Sequence, residues 1–267
     1  MRTMARTQGH LKSKRVAIVT GGGTGIGRGI ARRLSKDGFA VAVIGRRAAR
    51  LAAKRGERWR AYVCDVSDVD QIRDTVRAIR KDHGRIDVLV NSAGVVRREP
   101  IEKTTQDNID YTLGINLVGT MNFCISCIPA LKRTRGSIVN ISSSLTDRCT
   151  AQHSVYAASK GGVNAFSKSL ALELAPHKIR VNVVSPSLVR SEIYYPDGMD
   201  RDTYDALFKA SAEGYYPLGR SGEPADIAAL VSYLASPDSS WVTGTVIPID
   251  GGESVGVAGS EDDGWSV

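Results

Sequence analysis

The chain predicts a single α/β domain built on a doubly wound, mostly parallel sheet of seven strands, with helices on both faces. Three observations carry that expectation. Short β-branched runs alternate with longer helical stretches along nearly the whole sequence. The runs are almost continuously apolar, as strands buried on both faces must be. The 267 residues suffice for one such domain and are short for two enzyme domains. Composition is ordinary for a globular chain, at 42% hydrophobic and 24% charged, which excludes disorder. No continuous apolar run reaches the roughly 18 residues of a membrane span. No repeat period is present, and four cysteines make no disulfide framework.

Taken in order, strands are expected at residues 15–20, 40–45, 61–64, 86–91, 136–142, 179–184 and 245–250, each Val/Ile-rich and bounded by Gly, Asp or Asn. Helices are expected at residues 25–37, 67–83, 105–131, 154–175 and 224–235, placed so that each strand feeds a crossover. Residues 191–222 break the alternation and read as an irregular insertion before the last helix and strand. Residues 1–13 form a basic leader without the apolar core of a secretory signal. Residues 14–252 form the domain. The tail, 253–267, is Gly/Ser-rich and carries Glu261, Asp262 and Asp263.

Directly after the first strand comes Thr20-Gly21-Gly22-Gly23-Thr24-Gly25-Ile26-Gly27. Glycines let a strand turn sharply into a helix and let the backbone approach a pyrophosphate, while the helix N-terminus offers free N–H groups to the anion. The strict G-x-G-x-x-G spacing is absent, so this turn alone is weak evidence of dinucleotide binding. Five further motifs follow in order. Asn91-Ser92-Ala93-Gly94 closes the fourth strand, and Asn116-Leu117-Val118-Gly119 sits within the long helix. Ser143 lies thirteen residues before Tyr156, which opens Tyr156-Ala157-Ala158-Ser159-Lys160. Pro186-Ser187 and Asp250-Gly251-Gly252 end the last two strands.

With these motifs, the chain resembles the short-chain dehydrogenase/reductases over roughly residues 14–252, which implies a Rossmann-type fold and nicotinamide-dependent oxidoreductase chemistry. Reducing a ketone needs a hydride on one face of the carbonyl and an acid for its oxygen. A tyrosine, whose free pKa is about 10, is a poor acid at neutral pH. Lys160 follows Tyr156 by one helical turn, so its ammonium can sit near the phenol and lower that pKa. Ser143, at a strand's carboxyl end, can donate to the substrate oxygen. Ser142 and Ser144 are expected to be structural. The resemblance assigns Asn116 to a helix kink and a water-mediated proton relay to Lys160.

The same resemblance places the cofactor against Gly21, Thr24, Gly25, Ile26, Gly27, Asp65, Val66, Asn91, Ala93, Gly94, Tyr156, Lys160, Pro186, Val189 and Ser191. Asp65 is equally readable as a cap for the next helix. Three residues depart from the usual pattern: Ser92 for a second Asn, Ser187 for Gly and Ser191 for Thr. They read as tuning. An acidic residue about twenty positions past the Gly-rich turn selects NAD in this fold. Here that count reaches Gly45, then Arg46 and Arg47, where a guanidinium can clamp a 2′-phosphate. The expected cofactor is therefore NADP(H), with Arg46 the stronger candidate.

The net charge of +8 raises nucleic acid as a partner, since eleven basic residues crowd residues 28–60 against only Asp37 and Glu57. No nucleic-acid-binding motif accompanies them, so a small anionic ligand is the expected partner, without nucleic acid or membrane. Arg97 and Arg98 fall just past Gly94 and either border the cleft or face solvent. Asp147, Arg148 and Cys149 are candidates for the pocket edge. Cys124 and Cys127 form a C-x-x-C inside an apolar run and read as core packing, and cysteine usage suggests the cytoplasm. His10, His83, His153 and His177 have no metal-ligand spacing. Five of nine tyrosines (Tyr194, Tyr195, Tyr204, Tyr215, Tyr216) lie in the insertion, which covers substrate in the family. They suggest an oxygenated, ring-type ketone or alcohol, or a lid packing on itself. A 3-oxoacyl thioester, a sugar or a polyol is the alternative substrate, and a dinucleotide sensor without chemistry the alternative function. The resemblance also implies a homotetramer, or a dimer, pairing the helices at 105–131 and 154–175.

Overall fold

The computed structural model describes residues 14–191, 193, 200–210 and 215–256. Seven strands form one sheet: β1 (Val16–Thr20), β2 (Ala40–Gly45), β3 (Arg60–Val63), β4 (Val88–Asn91), β5 (Ser137–Ile141), β6 (Arg180–Pro186) and β7 (Val246–Ile249). All neighbours pair in parallel, in the order β3-β2-β1-β4-β5-β6-β7. The order reverses between β1 and β4, and at such a switch point loops diverge and leave a crevice at the strands' carboxyl ends. Register brings Thr20 beside Ile44 and Asn91, and Asn91 beside Asn140. The motif-bearing turns therefore emerge on one edge.

The helices are α1 (Gly25–Lys36), α2 (Ala48–Leu51), α3 (Val69–His83), α4 (Gln106–Leu113), α5 (Gly119–Thr134), α6 (Ser154–Leu174), α7 (Arg201–Ala210) and α8 (Pro224–Ala235). Strand alternation sorts the core into two layers. Ile18, Ile44, Leu89 and Ile138 pack with α3, α5 and α6 through Ile72, Phe123 and Leu170. Val19, Val43, Val90 and Val139 pack on the other face with α1 and α8 through Ile30, Leu34 and Val231. Local chemistry fixes the ends. Asp68 caps α3 by accepting the Asp70 and Gln71 amides, and Gly84, at φ 76°, stops it. Glu223 and Asp226 form a reciprocal capping box at α8.

The sheet, its strand count and the doubly wound architecture agree with expectation, but three local readings do not. Residues 105–131 are not one α-helix: a π-helical turn at Gly114–Val118 separates α4 from α5. The insertion is not wholly irregular, because α7 occupies part of it, with Tyr204 and Phe208, four residues apart, buried on one face. The short α2 follows Arg47, where no helix was expected. The stretch Gln106–Thr134 also contains an 18-residue window apolar enough, by length and composition, to cross a membrane, with a mean hydropathy of 1.4. Interspersed Asn, Ser and Thr hide it from a search for continuous runs. Its inner side packs against the sheet, with Phe123, Cys124 and Cys127 buried. Those cysteines are free thiols, and burial pushes Cys124 up to about 12, as expected of core residues.

Candidate active site

The crevice begins where β1 turns into α1. Thr20 accepts hydrogen bonds from the Ser92 and Ala93 amides at 3.0 and 3.1 Å, which ties the Gly-rich turn to the turn after β4. Gly21 adopts φ 65°, and a Cβ there would stand 2.8 Å from the Ala93 Cα. At Gly27 a Cβ would stand 2.4 Å from the Gly21 carbonyl oxygen, so α1 can approach β1 only through glycine. The result is a cavity of about 610 Å³ along the carboxyl edge of the sheet.

Among the expected cofactor residues, Gly21, Thr24, Gly25, Ile26, Gly27, Arg46, Arg47, Asp65, Val66, Ala93, Gly94, Tyr156, Lys160 and Ser191 line this cavity. Asn91, Pro186 and Val189 do not. Asn91 points into the core, donating to Asn140 Oδ1 at 2.9 Å and contacting the Cys124 sulfur. Val189 is buried and bridges Gly222, while Pro186 ends β6. Asp65 accepts from the Ser67 amide and hydroxyl while bordering the cavity, and the cap of α3 falls to Asp68 instead. The Arg46 guanidinium lies 3.8 Å from Asp65, and Tyr111 of α4, unmarked by any sequence motif, shares this end of the cavity with Arg97.

Tyr156 and Lys160 project from α6, both nearly fully buried. The Lys160 Nζ lies 5.9 Å from the Tyr156 ring centroid and donates to the Ile141 carbonyl at 2.9 Å. Burial pushes its ammonium down to about 8. The three consecutive serines separate by partner. Ser142 donates to the Lys160 carbonyl, Ser144 donates to Glu253, and Ser143 Oγ accepts the Leu145 amide at 3.2 Å. Ser142 lines the cavity, whereas Ser143 caps the turn at Ser144–Thr146 beside it. Asn116 occupies the π-helical turn. Its amide accepts from the Val95 N–H and donates to the Val95 carbonyl and the Ser159 hydroxyl, at 2.9, 3.0 and 3.0 Å.

The basic segment is partly structural. Arg28 donates to Glu57 and to the carbonyls of Gly23 and Arg50, so it braces the Gly-rich turn against the chain after β2. Around the insertion, Tyr216 meets the Ser187 hydroxyl at 2.8 Å, Tyr215 donates to Glu253, and Tyr204 donates to the Ser191 carbonyl. Tyr194 and Tyr195 lie outside the described residues, as does His10. Glu253, which opens the expected tail, is buried against the turn after Ser143. Its only sequence signal is a charged residue directly after Asp250-Gly251-Gly252.

Comparison with known proteins agrees with this fold. The sequence family described as enoyl-(acyl carrier protein) reductase matches residues 21–254. The chain is 41% identical over 246 residues to an uncharacterised oxidoreductase of Methylorubrum extorquens, covering 89% of this chain and 97% of that one. Its fold is similar to ligand-free aldohexose dehydrogenase from Thermoplasma acidophilum, with TM-score 0.85, 32% identity and coverage of 94% and 98%. It is similar also to a point variant of actinorhodin polyketide ketoreductase with NADPH, with TM-score 0.81, 33% identity and coverage of 90% and 97%.

Proposed function

Since the chain belongs to the short-chain dehydrogenase/reductase family of oxidoreductases, we propose that it is an NADP(H)-dependent carbonyl reductase or alcohol dehydrogenase acting on an oxygenated, ring-type ketone or its alcohol. The observation that carries the reading is Tyr156 and Lys160, one helical turn apart and buried together at the floor of the cavity. A sensor that had lost chemistry would have no use for a lysine held charged in so buried a place.

The cavity suits a dinucleotide. Its glycine-only approach at Gly21 and Gly27 leaves backbone N–H groups at the start of α1 free to hold a pyrophosphate. When bound, the nicotinamide supplies the hydride. Tyr156 Oη gives the proton to the ketone oxygen or takes it from the alcohol, and the Lys160 ammonium favours the phenolate that remains. Ser143 Oγ already accepts the Leu145 amide, which leaves its hydroxyl hydrogen to orient the substrate oxygen. Asn116 bonds the Val95 backbone and the hydroxyl of Ser159, the residue before Lys160, and so ties the π-helical turn to the helix that carries Tyr156 and Lys160. Arg46, with Arg47 beside it, reads the 2′-phosphate.

Tyrosines around the insertion, and a similar ketoreductase whose structure holds NADPH, support an oxygenated ring and NADP(H). The similar aldohexose dehydrogenase keeps the sugar or polyol reading in view. A substrate panel decides: cyclic hydroxyketones should be reduced with higher kcat/KM than 3-oxoacyl thioesters or sugars. Preference for the thioesters overturns the substrate reading. Tyr156→Phe should lose roughly 10²–10⁴-fold in turnover while still binding cofactor, and near-normal turnover overturns the mechanism.

A further inference from the structure

One buried carboxylate has no part in the chemistry above. Glu253 follows Gly252 after β7 and is 4% exposed. Its two oxygens accept from the Ser144 and Tyr215 hydroxyls, both at 2.8 Å. Its backbone carbonyl accepts from Arg148 at 3.0 Å, and that guanidinium lies over the Tyr215 ring. A buried carboxylate is costly unless its oxygens are satisfied, and an apolar side chain of similar size would fill the space without that cost. What the carboxylate adds is direction: it fixes where two hydroxyls point.

Those hydroxyls belong to segments that meet at the reacting end. Ser144 follows Ser143, and the turn it opens is held by the Leu145 amide on Ser143 Oγ, the Thr146 amide on the Ser143 carbonyl, and the Asp147 and Arg148 amides on the Ser144 carbonyl. Tyr215, within the insertion, packs edge-on against Tyr216, whose hydroxyl meets Ser187 Oγ and the Leu188 amide just beyond β6. We infer that Glu253 is a positioning residue: by clamping Ser144 it sets the orientation of Ser143, and through Tyr215 and Tyr216 it ties that orientation to the chain beyond β6 at Ser187 and Leu188. The inference rests on the reading of Ser143 and Tyr156 as the reacting pair.

Hydrogen exchange and kinetics of Glu253→Gln and Glu253→Ala, in the full chain, test it. In Glu253→Ala the amides of residues 145–148 should exchange faster while those of β1 and α1 keep their protection. On the ketone preferred in the panel, kcat should fall by roughly 10–100-fold, the scale of a misplaced catalytic group, with NADP(H) affinity from direct titration unchanged. Glu253→Gln should recover most of the loss, since its amide oxygen still accepts from one hydroxyl; if the Ala variant does not fold, Ser144→Ala, which removes one of the two hydroxyls that Glu253 holds, takes its place with the same expected changes in exchange and kcat. Unchanged exchange at residues 145–148, or a lowered Tm with kcat intact, overturns the inference. Failure of the underlying reading is distinguishable: Tyr156→Phe would then turn over normally, whereas an inactive Tyr156→Phe beside a fully active Glu253→Ala sinks this inference alone.

Discussion

Lys160 carries its charge nearly buried at the cavity floor, and its ammonium donates to a backbone carbonyl rather than to a carboxylate. Burial brings its pKa down from 10.5 to about 8, so between these values the unfolded chain holds a proton that the folded chain has released. Stability therefore rises with pH across that window, and below pH 8 the full cost of the buried charge is present. Lys160→Met removes the charge and the titration together. It should be more stable than wild type at pH 7, by up to about 3 kcal/mol, with the gap narrowing from about pH 8 toward 10.5. Urea unfolding at about pH 7, 9 and 10 measures it, and a gap independent of pH refutes the assignment. Cofactor chemistry should be lost in the same variant. A residue costly to the fold yet retained at the cavity floor is the pattern expected of a functional group.

Two braces at the next scale hold the groove in shape. Glu57 joins α1 to the chain beyond α2: burial alone would raise its pKa, but hydrogen bonds from Arg28, the Lys54 amide and Arg32 hold it down to about 2. A depressed carboxylate stabilises the fold above its unfolded pKa, near 4.5, and that contribution fades as pH falls through 2. Wild type should thus exceed Glu57→Gln in stability by a constant amount at about pH 6 and above, and the difference should shrink by about pH 3. An equal difference at both pH values would show that the charge is not what Arg28 holds. The second brace is Asn116 in the π-helical turn. Asn116→Ala deletes three hydrogen bonds, one of them fully buried, and should cost about 2–4 kcal/mol by urea unfolding. A cost near zero would mean that the turn stands without it.

For the molecule as a whole, charge bears on cofactor choice and exposed apolar surface on assembly. Arg46, Arg47 and Arg97 line the cavity together with Asp65, and the proposed reading places the adenosine end of the cofactor there, where the positive charge suits one extra phosphate. Wild type should show higher kcat/KM with NADPH than with NADH, and Arg46→Ala should reduce that preference. A preference for NADH, or one unchanged after both Arg46 and Arg47 are replaced, locates the discrimination elsewhere. Val118 at the end of the π-helical turn, Ile125 on α5 and Leu172 on α6 leave apolar side chains exposed on the stretches expected to pair. Light scattering should give a homotetramer of the 28.7 kDa chain, or failing that a dimer, and monomer alone contradicts the proposal.

The sequence by itself determined what repeats or sits close along the chain. Val/Ile runs parted by helical stretches specified the parallel sheet, and the glycines from Gly21 to Gly27 specified the turn that α1 needs. The four-residue step from Tyr156 to Lys160 placed both on one helix face, because a helix brings i and i+4 together whatever surrounds it. Tertiary structure decided what depends on distant partners. Three adjacent serines look alike in sequence, yet Ser144 turns to a carboxylate 109 residues away while Ser142 turns to α6. The same holds for Asn91, whose motif suggests the cofactor but whose side chain faces Asn140 in the core. Glu253 reads as the start of a polar tail and becomes the centre of a buried cluster. Periodicity fixes which way a backbone runs and which face is apolar; a polar side chain's direction is set by whichever donor or acceptor the fold brings within reach.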